Sequence, residues 1–333
     1  MSFRPAPHLR PRNDVPNLMR RVLLALVPGT AIMVWLFGGG VLLNILLCSA
    51  TALATEAAMQ RLRGRPVAPA LNDHSALLAG VLLALCLPPL LPWWMPVLGT
   101  AFALALGKHV YGGLGFNPFN PAMLGYAFLL ISFPAQMVLW PAPELATPGL
   151  LQAIAFSGGA LEIDMISGAT PLDRLKTGLG QGETIIGLQA ERALFSLHPD
   201  LRWPLINGLF LLGGLYLLQR DYIRWQIPLG VLLGLATPAL LFWLIDPQRF
   251  ADPLFHLFAG GAMLGAFFIA TDPVSAATTT RGRLYYGLGI GILVWVIRTW
   301  GGYPDGVAFA VLLMNLAAPL LDRLCRPRIQ GHS

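Results

Sequence analysis

Apolar runs of roughly 17–22 residues recur along this chain, from Val22 to near Leu321. That length is what a helix needs to cross about 30 Å of hydrocarbon. The pattern dictates an all-α polytopic membrane protein, because only helices and closed barrels satisfy their backbone groups in lipid. The charge content agrees. Only 11% of the 333 residues are charged and 56% are hydrophobic, whereas soluble domains carry about 25% charged residues. The polar, proline-containing segment before Val22 is unlike a cleavable signal peptide.

The periodicity predicts about ten transmembrane helices. The first half places them near 22–38, 41–59, 76–90, 93–106 and 122–140, and the second near 204–219, 227–245, 254–270, 284–299 and 304–321. The chain then divides into a tail (1–21), a five-span bundle (22–140), a polar loop (141–203), a second five-span bundle (204–321) and a tail (322–333). Two junctions, Gly38-Gly39-Gly40 and Pro88-Pro89 to Trp94, read equally as re-entrant bends. Trp93, Trp94, Trp140 and Trp203 fall at span ends, where interfacial tryptophans collect.

Charge sets the expected orientation. With the N-terminus in the cytoplasm, 16 of the 22 Lys and Arg residues lie in cytoplasmic loops and tails and 6 do not. The positive-inside rule favours this arrangement, with both termini cytoplasmic. After five crossings the 141–203 loop is extracytoplasmic. It holds seven acidic and four basic residues. Five spans on each side of it also give two inverted five-helix halves, an organisation common in transporters. The basic residues flank spans and form no single patch, so nucleic acid is not an expected partner.

Metal chemistry has little support. Cys48, Cys86 and Cys325 are far apart and form no CxxC pair. They read as small buried hydrophobes. The histidines are scattered, and only His256 lies inside a strongly apolar run, which argues against a bis-histidine haem.

Four stretches carry candidate chemistry. The loop contains Asp164-Met165-Ile166-Ser167-Gly168-Ala169-Thr170-Pro171. As a bare sequence this is an ordinary turn. It also resembles the site at which a flavin transferase joins FMN to a threonine by a phosphoester bond. The second stretch, Gly107 to Met123, has four glycines in 107–115 and then Asn117-Pro118 and Asn120-Pro121. Such irregular backbone near a membrane either lines a binding niche or packs as a rigid connector. The third is Ala270-Thr271-Asp272-Pro273, where Asp272 either caps the following helix or contributes to a cation or proton path. The fourth is Tyr303-Pro304-Asp305-Gly306, with Asp305 expected to cap the last span and Asn315 to bond between helices.

In order and spacing these four stretches resemble the D subunits of Rnf-type ion-translocating electron transport complexes, relatives of the B subunits of Na⁺-translocating NADH:quinone reductases. The match covers nearly the whole chain, and the short tails favour the Rnf-type group. The resemblance implies a membrane flavoprotein subunit of a multi-subunit translocase in the bacterial inner membrane. FMN would be linked covalently to Thr170, making that residue a phosphothreonine, with Ser167, Gly168, Ala169 and Asp164 serving its recognition. It also implies a further non-covalent flavin such as riboflavin, with the glycine-rich stretch as a candidate lining. The implied partners are flavin and iron–sulfur subunits of the complex, a maturing flavin transferase and the lipid bilayer. One flavin on the outer face cannot reach a cytoplasmic donor across about 30 Å of apolar core unaided, so no complete reaction belongs to this chain alone. Read without the resemblance, the inverted topology and broken helices also suit a channel or secondary transporter for a small solute, or a structural scaffold.

Overall fold

A computed structural model describes residues 14–142, 147–160, 167–190 and 201–326. Its helices in the first half are α1 (Val15–Phe37), α2 (Gly39–Leu62), α3 (Val67–Asn72), α4 (Ser75–Cys86), α5 (Trp94–Leu104), α6 (Pro121–Ser132) and α7 (Pro134–Met137). The polar loop contains α8 (Leu150–Ser157), α9 (Pro171–Gly180) and α10 (Ile185–Ala190). The second half is α11 (Arg202–Gln219), α12 (Gln226–Ile245), α13 (Pro253–Phe258), α14 (Ala262–Leu264), α15 (Thr280–Trp300) and α16 (Val307–Leu324). Two-residue strands β1 (Trp140–Pro141) and β2 (Ser167–Gly168) form one antiparallel pair.

Each expected span contains some helical backbone, and 76–90 is helical only to Cys86. Among the described residues, four helices are long and apolar enough to cross a membrane by length and composition: α1, α2, α12 and α16. Leucines on these helices point outward, as Leu46, Leu244 and Leu316 do. An apolar outer surface of this kind suits lipid and not water.

The ends of the helices follow from local chemistry. Asp14 caps α1 by accepting from the Asn17 amide, and Pro16 sits in the first turn, where its missing N–H costs nothing. The Gly38-Gly39-Gly40 junction is a one-residue break. Gly38 adopts φ +80°, and a Cβ on Gly38 or Gly40 would lie 2.3 Å from the Pro148 carbonyl oxygen or 2.0 Å from that of Pro89. Only glycine lets these chains meet.

Three expected spans are interrupted. Residues 122–140 split at Pro134, whose ring disfavours helix at Phe133. Residues 93–106 continue as a π-helical turn over Ala105–His109. The 254–270 run breaks at Gly260 (φ +58°) and ends in a second π-helical turn, Gly265–Ile269. Asn207 of α11 fills that gap. Its amide donates to the Phe258 and Gly260 carbonyls, and its carbonyl accepts from the Met263 amide. A side chain from a neighbouring helix thus replaces the missing intrahelical bonds.

The halves meet through α1–α11, while α2–α4 packs within the first half and α12–α15 within the second. In the last pair, glycines face carbonyls: a Cβ on Gly291 would sit 2.2 Å from the Val231 oxygen and one on Gly287 2.4 Å from that of Ile227. This is small-residue packing as found between membrane helices.

Candidate functional site

Thr170 is the N-cap of α9. Its backbone is extended (φ −68°, ψ 162°) and Pro171 opens the helix. Its hydroxyl oxygen accepts from the Asp173 amide at 3.2 Å, while the Asp173 carboxylate accepts from the Thr170 amide at 3.3 Å. This is a capping box with aspartate at the third helical position. The Thr170 hydroxyl also donates to Asp173 Oδ2, at 2.5 Å. The turn expected from the sequence is therefore present, and it aims one half-buried hydroxyl at a carboxylate.

The residues before Thr170 form its support. Ser167 and Gly168 are the β2 strand, with Gly168 opposite Trp140 and Ser167 opposite Pro141. Gly168 lies against Ala142, where a Cβ would come within 3.0 Å. Ala169 is exposed. Asp164 lies outside the described residues.

Thr170 stands at the rim of a cleft of about 850 Å³ between the two halves of the chain. The first half contributes Met123, Tyr126 and Trp140, and the second contributes Trp203, Gly260 and Asp305. Trp140 packs edge to face on Trp203 and on Phe37, and Trp203 lies tilted against Phe37, with centroids 5.1–5.7 Å apart. These two tryptophans, expected as interfacial anchors, thus build a wall of the cleft.

Beneath the cleft lies an ion pair. Arg298 of α15 bonds Asp305 through two nitrogens, at 3.1 and 3.2 Å. It also donates to the His256 and Ala259 carbonyls. Asp305 in turn accepts from the Gly261 amide at 2.9 Å. Asp305, expected as a helix cap, accepts from the Val307 amide at the start of α16 at 3.4 Å, and its shorter bonds go to Arg298 and the broken segment before α14. Lys176, one turn beyond Asp173, donates to the carbonyls of Ile297, Arg298 and Tyr303, satisfying the end of α15 and pinning α9 to it.

Electrostatics follow burial. Burial pushes the Asp173 carboxyl above the usual range, and nearby Asp305 adds to this, while the Thr170 hydroxyl and Lys176 oppose it. Burial lowers Lys176, opposed by Asp173.

A second polar site lies at the other end of the bundle. Glu56 of α2, Lys108 and His109 are 1%, 3% and 0% exposed. Lys108 Nζ lies 2.8 Å from Glu56 Oε2 and 2.9 Å from the Ser75 hydroxyl, and His109 Nε2 lies 3.0 Å from the same Glu56 oxygen. Beside them a cavity of about 440 Å³ is lined by Ser75, Lys108, Asn117, Asn120 and Asp272. The glycine-rich stretch thus borders a cavity, and Gly112, Gly113 and Gly115 take positive φ values that other residues rarely adopt. Asp272 does not cap the next helix, which Thr279 caps. It accepts from the amide and hydroxyl of Ser275 and closes a local turn. Asn315 bonds between helices as expected: it accepts from the Asn120 amide and donates to Ser275 and Tyr286. The Glu56 cluster has one sequence signal, a lone carboxylate inside an apolar run, which marks function or a buried partner.

The two sites lie at opposite ends. Met19, in the second turn of α1, lines the Lys108 cavity, and Asp322 near the end of α16 bonds Thr278 and Thr279. Both ends of the described chain therefore lie away from Thr170. Among the described residues no group of His, Cys, Asp and Glu could hold a metal ion. Cys48 is buried and Cys86 and Cys325 partly so.

Comparison with known proteins adds the family. The model of the NQR2, RnfD, RnfE family matches residues 2–331. Relatives named as the D subunit of an ion-translocating oxidoreductase complex include those of Alcanivorax borkumensis (53% identical, covering 98% of this chain and 96% of the relative) and Aeromonas hydrophila (51%, covering 98% and 97%). The Escherichia coli relative is 50% identical over 100% of this chain and 99% of its own. The chain belongs to the NQR2, RnfD, RnfE family.

Proposed function

We propose that the chain passes electrons through FMN joined to Thr170, and that this transfer is coupled to movement of Na⁺ or H⁺. The coarser statement rests on the family and the names of its members: the chain is a membrane subunit of an ion-translocating oxidoreductase complex. The observation that carries the finer reading is the Thr170 hydroxyl at the rim of an 850 Å³ cleft between the halves.

The lining suits a flavin. Tyr126, Trp140 and Trp203 offer flat apolar faces. Gly260 leaves the floor open, since a Cβ there would meet Asp305 and Leu172 within 2.6 Å. When bound, FMN would supply one- and two-electron chemistry that no side chain here provides. The protein's own part is positional. The aromatic wall excludes water, the capping box holds the Thr170 oxygen, and the Lys176 clamp fixes α9 on the bundle. The Arg298–Asp305 pair keeps the two elements of the floor together.

Ten crossings, cytoplasmic termini and a periplasmic Thr170 complete the reading. The basic bias supports that orientation. The cavity beside Lys108 is our candidate for a second, non-covalent flavin such as riboflavin, with the Asn117 side-chain carbonyl oxygen, which bonds nothing else in the protein, as a hydrogen-bonding group. Flavin and iron–sulfur subunits then bridge the remaining distance, and a flavin transferase loads Thr170. Replacement of Thr170 by alanine tests the attachment. Flavin fluorescence on the denatured band is expected to vanish, and its persistence would overturn the assignment.

A further inference from the structure

Helix capping accounts for only part of the bonding between Thr170 and Asp173. A capping box uses the hydroxyl oxygen as an acceptor and the carboxylate as an acceptor from the amide. It makes no use of the hydroxyl proton. Here that proton is directed at Asp173 Oδ2 across 2.5 Å, while the Asp173 amide donates to the same hydroxyl oxygen. An attacking oxygen needs a base to take its proton, and the hydrogen bond from the amide on its other side holds it in position. The amide sits in the first turn of a ten-residue helix, where the backbone dipole also favours negative charge.

We propose that Asp173 is the acceptor-side general base for loading of Thr170. The inference rests on the reading that Thr170 carries FMN. A threonine hydroxyl forms a phosphoester only with an activated phosphorus, so the donor class is a flavin dinucleotide such as flavin adenine dinucleotide. Thr170 Oγ1 attacks the flavin-side phosphorus, and a new O–P bond forms. The pyrophosphate O–P bond breaks, and adenosine monophosphate leaves with the electron pair. The hydroxyl proton moves to Asp173 Oδ2. Nothing is oxidised or reduced. After transfer the protonated Asp173 faces the new phosphodiester without like-charge repulsion.

The surroundings support a carboxylate stronger as a base than a free one. Burial and Asp305 raise Asp173. Facing it are Lys176 on its own helix and, from the entry to α16, Asp305, which is paired with Arg298 of α15. Cys86 and Tyr126 line the same cleft from α4 and α6.

The test uses the full-length chain, purified without flavin from cells lacking the transferase. It is incubated with transferase and flavin adenine dinucleotide, and covalent fluorescence is followed with time between about pH 5.5 and 9. Asp173→Asn keeps acceptors for the cap but removes the base. It is expected to label about 100-fold more slowly than wild type at pH 7, with an unchanged melting temperature. Its rate relative to wild type is expected to climb as pH rises and hydroxide replaces the missing base. Asp173→Glu, which retains a carboxylate, is expected to recover most of the loss. Equal rates for Asp173→Asn and wild type, or a deficit that stays constant across pH, would reduce Asp173 to a cap and overturn the proposal. A melting temperature that drops in Asp173→Asn and not in Asp173→Glu, without a pH-dependent deficit, would overturn it equally. A wild-type chain that takes up no label at all contradicts the Thr170 reading itself.

Discussion

Thr170 and Asp173 show how one residue pair serves structure and chemistry at once. Loss of an N-cap side chain costs about 1 kcal/mol, so Thr170→Ala is expected to loosen α9 by that order, and Thr170→Ser to leave it firm. Hydrogen exchange of α9 amides measures both. The buried Asp173 carboxyl, held above its ordinary range, retains a proton that the unfolded segment has released. Its stabilising share is complete at low pH and fades as pH rises through the raised value. Protection of α9, corrected for intrinsic exchange, is expected to fall with pH across that window and to flatten in Asp173→Asn. A flat wild-type profile would contradict this. Arg298 belongs at the same scale. Its guanidinium, 1% exposed, bonds Asp305 and two carbonyls. Arg298→Ala would remove these bonds and leave two buried carbonyls unpaired, so it is expected to lower thermal stability far more than a substitution at exposed Arg249, which a melting curve in detergent will show.

At the scale of elements, glycine decides how close helices come. Gly291→Ala would drive a methyl group into the Val231 carbonyl across the α12–α15 contact. Overpacking of this kind costs about 1–3 kcal/mol. Gly208 of α11 has nothing within 4 Å, so Gly208→Ala is expected to be neutral or to stabilise by up to about 1 kcal/mol. Equal melting temperatures for the two variants would refute the packing argument. The helices themselves were legible from apolar period and length, because lipid permits few other structures. Their interruptions were not. The break at Gly260 depends on Asn207, more than fifty residues earlier in the chain, and no local pattern reports a bond across that separation. Pro134 was visible in the sequence, but the length of the 122–140 run hid its effect.

For the molecule as a whole, the sequence pointed to Thr170 through a short motif, and the structure adds what surrounds it. The cleft draws residues from both halves, so its walls were not readable from any one segment. Trp140 and Trp203 carried an interfacial signature, and the contacts they make with each other, and Trp140 with Phe37, were not readable from it. The Glu56–Lys108–His109 cluster was signalled only by a carboxylate in an apolar run, since its partners come from two elements. The opposed positions of Thr170 and the chain ends make a sidedness prediction. A membrane-impermeant maleimide applied outside intact spheroplasts is expected to label Gln181→Cys, at the exposed end of α9, and to spare Cys325. The reverse pattern would turn the molecule over and place Thr170 toward the cytoplasm.

The central claim is a redox group tethered through one hydroxyl at the rim of the inter-half cleft. Mass spectrometry of the proteolytic peptide containing Ser167 to Arg174, from cells with a working flavin transferase, tests it most directly. The peptide is expected to be heavier by one FMN less one water, with the added mass on Thr170. A peptide of bare amino-acid mass throughout, or the modification on Ser167, would contradict it.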